Sequence, residues 1–247
     1  MIYVKKPNEL DKMRVAGKLT GDALKHIEEK IKPGVTTAQI NKWIHEFITS
    51  QNATPSFLGY HGYPASACVS VNDVVVHGIP GDRVLQEGDI VSVDVGVIKN
   101  GWPGDAARTF AVGKISPEAQ KLIDVTRECF FEGIKHARNG RRLGDLSSAI
   151  QRHAESHGYG VVREMIGHGI GRQMHEDPAV PNFGKEGTGV MLKTGYTIAV
   201  EPMINAGTFK IKFEPDGWTT RTADGSLSAH YENTIAIRDG EPEILTL

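Results

Sequence analysis

Four carboxylates sit inside segments that otherwise have the composition of buried β-strand, and that placement restricts the fold more than any other feature. Asp94 interrupts Ile90-Val91-Ser92-Val93-Asp94-Val95-Gly96-Val97-Ile98, a β-branched run expected of a covered strand. Asp105 lies on the next arm, which continues through Thr109-Phe110-Ala111-Val112. Glu201 breaks Thr197-Ile198-Ala199-Val200-Glu201-Pro202, and Glu232 lies in Tyr231-Glu232-Asn233-Thr234-Ile235-Ala236-Ile237. Taking a carboxylate out of water costs several kcal/mol even after the surroundings relax. A chain that does so four times needs shared protons or cations to offset the charge. Two divalent ions would balance four carboxylates, which points to a dinuclear metal centre.

Lys99-Asn100-Gly101, between the two aspartate arms, is a hairpin signal. With Asn100-Gly101 as a two-residue loop, Asp94 faces Ala107 and Asp105 lies two positions away on the same sheet face. Diagonal neighbours of that kind reach one ion or a close pair. A single Asp in such a strand is more often an edge or turn residue; two on one face of a hairpin favour chelation. Glu201 or Glu232 alone fits a half-exposed strand, but Pro202 ends ladder pairing directly after Glu201, as suits a strand end at a site. His168 supplies a fifth donor from Ile166-Gly167-His168-Gly169-Ile170-Gly171, where flanking glycines let the backbone approach closely. The same glycines do not make a dinucleotide loop, because Arg172 occupies the position of the third glycine. His153 and His157 are four apart on a helical stretch, but Ala154 follows His153, so no H-E-x-x-H zinc helix exists and the pair is expected on a solvated face.

Further along, the chain repeats its pattern. Met13, Ala16, Leu19, Ala23, Leu24 and Ile27 form one helical stripe; after Lys32-Pro33-Gly34, Thr36-Thr37 caps a second helix with Ile40, Trp43, Ile44, Phe47 and Ile48. About 106 residues later, Leu122, Val125, Phe130 and Ile134 stripe one helix, Asn139-Gly140 turns, and Leu146, Ile150 and Ala154 stripe another. Strands bearing the acids follow each pair. The expectation is an α/β (α+β) chain, one catalytic domain over residues 1–247, with pseudo-repeats at about 9–112 and 116–240 and the donors at their common axis. A meander in the second half is expected from the turns Pro215-Asp216-Gly217, Ala223-Asp224-Gly225 and Arg238-Asp239-Gly240.

Composition excludes several classes. A formal net charge of −2 gives no strong pull toward nucleic acid or an anionic membrane. The N-terminus has no apolar signal core, and no apolar run approaches membrane-spanning length. Cys68 and Cys129 have no metal or redox spacing and are expected as free cytosolic thiols. The expectation is a cytoplasmic monomer that binds neither DNA nor membrane.

Leu58-Gly59-Tyr60-His61-Gly62-Tyr63-Pro64, Val76-His77-Gly78-Ile79-Pro80, Gly167-His168-Gly169-Ile170-Gly171, His175-Glu176-Asp177-Pro178 and Tyr231-Glu232-Asn233-Thr234, in this order and with five donors in place, closely resemble the type I methionine aminopeptidases of short bacterial form. The resemblance runs almost end to end. It implies the pita-bread fold, two pseudo-symmetric αα-β halves around a curved, mainly antiparallel sheet. It also implies removal of the initiator methionine from nascent polypeptide N-termini, preferably before a small second residue. By the same resemblance Asp94, Asp105, His168, Glu201 and Glu232 are ligands of two divalent ions, with Asp105 and Glu232 bridging, and a hydroxide held between the ions attacks the scissile carbonyl. The ion is Co, Fe, Mn or Zn, a set that a carboxylate-rich site with one imidazole accepts.

Glu201 is implied to shuttle the water proton, His175 to bond the developing oxyanion, and His77 to contact substrate near the scissile amide. The methionine pocket is implied at Tyr60, Tyr63, Cys68 and Trp218, with Phe57 and Met174 at its edge, and a monovalent cation at Asn72, Val74 and Ser228. Phe57 and Met174 depart from the common pattern, as does His230, which stands where relatives often have glutamine. Neither a zinc-binding or proline-rich extension nor a type II helical insert is seen; Lys210, Lys212 and Arg221 are the basic residues available for transient ribosome contact, although a solvated loop explains them better. Two rivals remain: a proline-directed peptidase of the same fold, and a non-catalytic binding protein.

Overall fold

The computed structural model describes residues 1–247. Four helices carry the apolar stripes: α1 (Pro7–Glu28), α2 (Thr37–Ser50), α3 (Pro117–Ile134) and α4 (Leu143–Ser156). Helix α2 starts where its side chains dictate. Thr36 accepts a hydrogen bond from the Gln39 amide, and the Gln39 side chain accepts from the Thr36 amide, closing a capping box. Ile40, Ile44 and Ile48 then face inward at i, i+4 and i+8, each essentially fully buried. Helix α3 has a simpler cap, Ser116, whose hydroxyl accepts from the Ala119 amide.

Strand pairing is antiparallel throughout the named strands. In the first half, Ile90–Lys99 is central, with Trp102–Ala111 along one edge and Ala67–Val71 and Thr54–Pro55 sharing the other. In the second half, a five-stranded sheet runs Glu243–Ile244, Asn233–Ala236, Thr197–Val200, Gly167–Gly169, Glu176–Val180. Two smaller sheets join Ser228–His230 to Met203–Asn205 and Gly160–Val161, and Ile211–Phe213 to Thr220–Thr222 and Val74–Val76.

Each half has its own apolar core: α1 and α2 against the first sheet, α3 and α4 against the second. The halves meet where Trp102–Ala111 runs beside Asn233–Ala236. The Asp105 amide donates to Thr234 Oγ1 at 3.0 Å, that hydroxyl donates back to the Asp105 carbonyl at 3.0 Å, and the Glu232 amide donates to the Ala107 carbonyl at 3.0 Å. Helix α1 lies close enough to the same strand that a Cβ on Gly104 would sit 2.8 Å from Gly17 Cα, so glycine is required there.

Candidate metal centre

Hairpin geometry places the first two donors. Asn100 and Gly101 both have positive φ, 53° and 77°, the two-residue loop that matches strand twist. Asp94 consequently pairs with Ala107, and Asp105 with Gly96, which puts both carboxylates on one face. His168 reaches the same point from Gly167–Gly169, its Nε2 3.5 Å from Asp105 Oδ2 and 3.7 Å from Glu201 Oε1. Its Nδ1 donates to the Gly169 carbonyl at 2.8 Å, which leaves the Nε2 lone pair directed at the acids. Glu201 follows the strand that ends at Val200, and Glu232 lies on the seam between the halves.

These groups are buried together. Asp105 is 4% exposed, His168 8% and Glu232 1%. Burial raises the carboxyl pKa of Asp94, Glu201 and Glu232 well above the ordinary range, and the neighbouring acids raise them further. Asp105 is raised by burial as well, with Asp94 acting in the opposite direction by hydrogen bonding. Asp94 Oδ1, Asp105 Oδ1 and Glu232 Oε1 are buried with no hydrogen-bond partner at all. Protein interiors rarely leave such atoms unsatisfied. A divalent cation supplies both the missing partner and the missing charge, so the donor set fits the metal the sequence implies. Two overlapping donor groups are within ion reach, Asp105–His168–Glu232 and Asp94–His230–Glu232, and Glu232 belongs to both.

The donors form the floor of a cavity of about 350 Å³ walled by Phe57, Tyr60, His61, Tyr63, Cys68 and Trp218, with His77 and His175 on its sides. His77 has a left-handed backbone, φ 57°, uncommon for a residue with a side chain. Burial, then the nearby His175, lowers its pKa. The His175 ring lies tilted against His168 with centroids 4.0 Å apart, its Nδ1 lies 2.9 Å from the Tyr60 hydroxyl, and loss of solvent against these rings holds it well below the ordinary imidazole value. Trp218 is set by the Asp216 turn, whose carboxylate accepts from the amides of Trp218 and Thr219 at 2.8 Å each.

Several sequence expectations need correction. Met174 is not on the cavity wall; it is 5% exposed and packs with Phe57 over Gly96, behind the wall. Arg221 is not free for RNA, because it pairs with Asp73 at 2.8 Å and Glu214 at 3.0 Å. Asn72 has its side chain committed to Asp89 and the Ile90 amide, so only main-chain oxygens remain there for a monovalent cation; its own carbonyl already accepts from the Ser228 amide. His153 and His157, in contrast, stay outside the cavity as the sequence led us to expect, with His153 paired to Glu128 at 2.9 Å. One residue at the site was not singled out from the sequence: His61, which lies within a quoted motif. His230, noted there only as a departure from the pattern, ends its strand two residues before Glu232 and comes within ion reach of Asp94 and Glu232.

The fold and this centre together define a metal-dependent peptidase. The chain belongs to metallopeptidase family M24, matched over residues 11–239. It is 55% identical to the methionine aminopeptidase of Clostridium perfringens over 247 residues, covering 100% of this chain and 99% of that protein. Methionine aminopeptidase 1 of Bacillus subtilis is 46% identical over 246 residues, with 100% and 99% covered. The crystal structure of methionine aminopeptidase from Rickettsia prowazekii superposes with a TM-score of 0.99 at 48% identity, with both chains fully covered. The architecture is accordingly the pita-bread fold of the family.

Proposed function

We propose that this chain is a methionine aminopeptidase: it removes the initiator methionine from new polypeptides, preferentially before a small second residue, using two divalent ions held by Asp94, Asp105, His168, Glu201 and Glu232. The observation that carries the reading is the set of unpartnered buried carboxylate oxygens at the floor of an aromatic cavity. When bound, such ions supply Lewis acidity and water activated at neutral pH. Co, Fe, Mn and Zn all suit the donors, and availability selects among them.

The chain's own residues do the rest. Glu201, at the strand end beside the other donors, takes the water proton and delivers it to the leaving amine. In the His175 tautomer that carries its proton on Nε2, Nδ1 accepts from the Tyr60 hydroxyl at 2.9 Å and Nε2 donates to the substrate carbonyl as negative charge develops. His77, on the cavity side, contacts the substrate backbone near the scissile bond. Phe57, Tyr60, Tyr63, Cys68 and Trp218 take the methionine side chain, whose thioether is favourably placed against aromatic rings. Met174 supports Phe57 from behind. Asn72, Val74 and Ser228 hold a monovalent cation through main-chain oxygens.

Residues 1–247 act as one catalytic domain of two similar halves, as a cytoplasmic monomer with transient ribosome contact. No helix is long and apolar enough to cross a membrane. The test is hydrolysis of Met-Ala-X and X-Pro peptides by protein purified without oxygen, with bound metal quantified. Cleavage of Met-Ala-X that EDTA abolishes and a divalent metal restores is the expected result. Cleavage of X-Pro peptides alone, or no cleavage with any divalent metal, overturns the reading.

A further inference from the structure

His230 has no assigned role, yet its environment is that of a donor. The side chain is 2% exposed, and its Nε2 is buried without a hydrogen-bond partner. That nitrogen lies 3.8 Å from Glu232 Oε2 and 3.9 Å from Glu201 Oε2, too far for a hydrogen bond to either. Two donors that share one ion at about 2.1 Å each stand at most about 4.2 Å apart, and the observed gaps fall inside that limit. His230, Asp94 and Glu232 present donor atoms that all lie within 4.8 Å of one another.

The backbone that carries the ring is also held in place. Thr109 Oγ1 accepts from the His230 amide at 2.9 Å and donates to the His230 carbonyl at 2.9 Å, pinning this strand to the hairpin that carries Asp94 and Asp105. Ser92 Oγ, 2.7 Å away, fixes that threonine in turn. This fixes where the His230 side chain leaves the main chain relative to Asp94 and Asp105.

We propose that His230 Nε2 is a sixth metal ligand, so that the two ion positions carry one imidazole each: His168 with Asp105 and Glu232, His230 with Asp94 and Glu232. This rests on the dinuclear reading of the site and adds a specificity to it. An imidazole in the Asp94 position biases that position toward zinc, iron or cobalt over manganese, which prefers oxygen donors.

The test is the number of zinc-bound imidazoles per chain, obtained from zinc K-edge X-ray absorption of the full chain reconstituted with Zn(II) alone and multiplied by measured zinc content. Two per chain in the wild type and one in His230→Gln is the expected result. A chelator competition should show at least a tenfold loss of Zn(II) affinity at one of two positions in His230→Gln, with Mn(II) affinity changed less than threefold. One imidazole per chain in the wild type overturns the assignment without recourse to any variant. Equal Zn(II) affinities in a His230→Gln protein of unchanged circular dichroism do the same. Failure of the wild type to bind zinc at all overturns the underlying metal reading too, and is distinguished by the zinc content itself.

Discussion

Replacing Thr234 with valine removes one hydroxyl while keeping the shape of the side chain, and the structure makes that hydroxyl the fastener between the two halves. It accepts from the Asp105 amide and donates to the Asp105 carbonyl, both at 3.0 Å, and Thr234 is completely buried. Valine leaves a buried N–H and a buried C=O without these partners. An unsatisfied buried polar group costs about 1–3 kcal/mol, so the two together destabilise by roughly 2–6 kcal/mol. For a chain of this size each kcal/mol lowers Tm by about 2–4 °C, giving a fall of roughly 5–25 °C. The assay is thermal and urea unfolding of metal-free wild type, Thr234→Val and Thr234→Ser at one pH. Serine keeps the hydroxyl and should recover most of the loss. A valine variant within about 0.5 kcal/mol of wild type, the range of an ordinary surface change, refutes the argument; so does a serine variant as unstable as the valine one.

Three further outcomes follow from the same geometry. Glu243, bonded to Arg14 and then Arg238, has its carboxyl pKa lowered to about 2; being below the unfolded value, it contributes stability above about pH 4.5 that disappears as pH falls toward 2. Glu243→Gln should therefore cost about 1 kcal/mol at pH 7, after allowance for the partial exposure of the pair, and nothing near pH 2, as measured by urea titration at both pH values. Gly96→Ala puts a Cβ against Ser56 Oγ, 2.8 Å from Phe57 Cε1 and 2.9 Å from Met174 Cε; overpacking of about 1–3 kcal/mol should shift Phe57 into the cavity and raise KM for Met-Ala-X more than it lowers kcat. Adding Mn(II) or Zn(II) at a hundred times its Kd to EDTA-treated protein should raise stability by about 2.7 kcal/mol per site, seen as a higher Tm, and an unchanged Tm would count against buried ligands.

The sequence carried the local geometry well and the long-range geometry in part. Asn100-Gly101 fixes the hairpin loop, and strand alternation then determines the register, so the diagonal placement of Asp94 and Asp105 is legible from spacing alone. The capped helix at Thr36 follows from the same kind of short-range rule. What escapes is set by chain segments far apart in sequence. Met174 retreats behind the wall because Gly96, on another strand, leaves room for it. Arg221 is consumed by Asp73, many residues earlier in the chain. His230 ends its strand two residues before Glu232, and the main chain that aims it is bonded to Thr109 of the first half. No local pattern encodes that partner.

Asp94 and Asp105 are supplied by one half and His168, Glu201 and Glu232 by the other. During synthesis the donors emerge in that order, and the last of them is docked only when the Asn233–Ala236 strand settles beside Trp102–Ala111. An unfinished or clipped copy therefore carries only scattered acids and has no competence to cut its neighbours. The complete donor set exists only where both halves are present and joined.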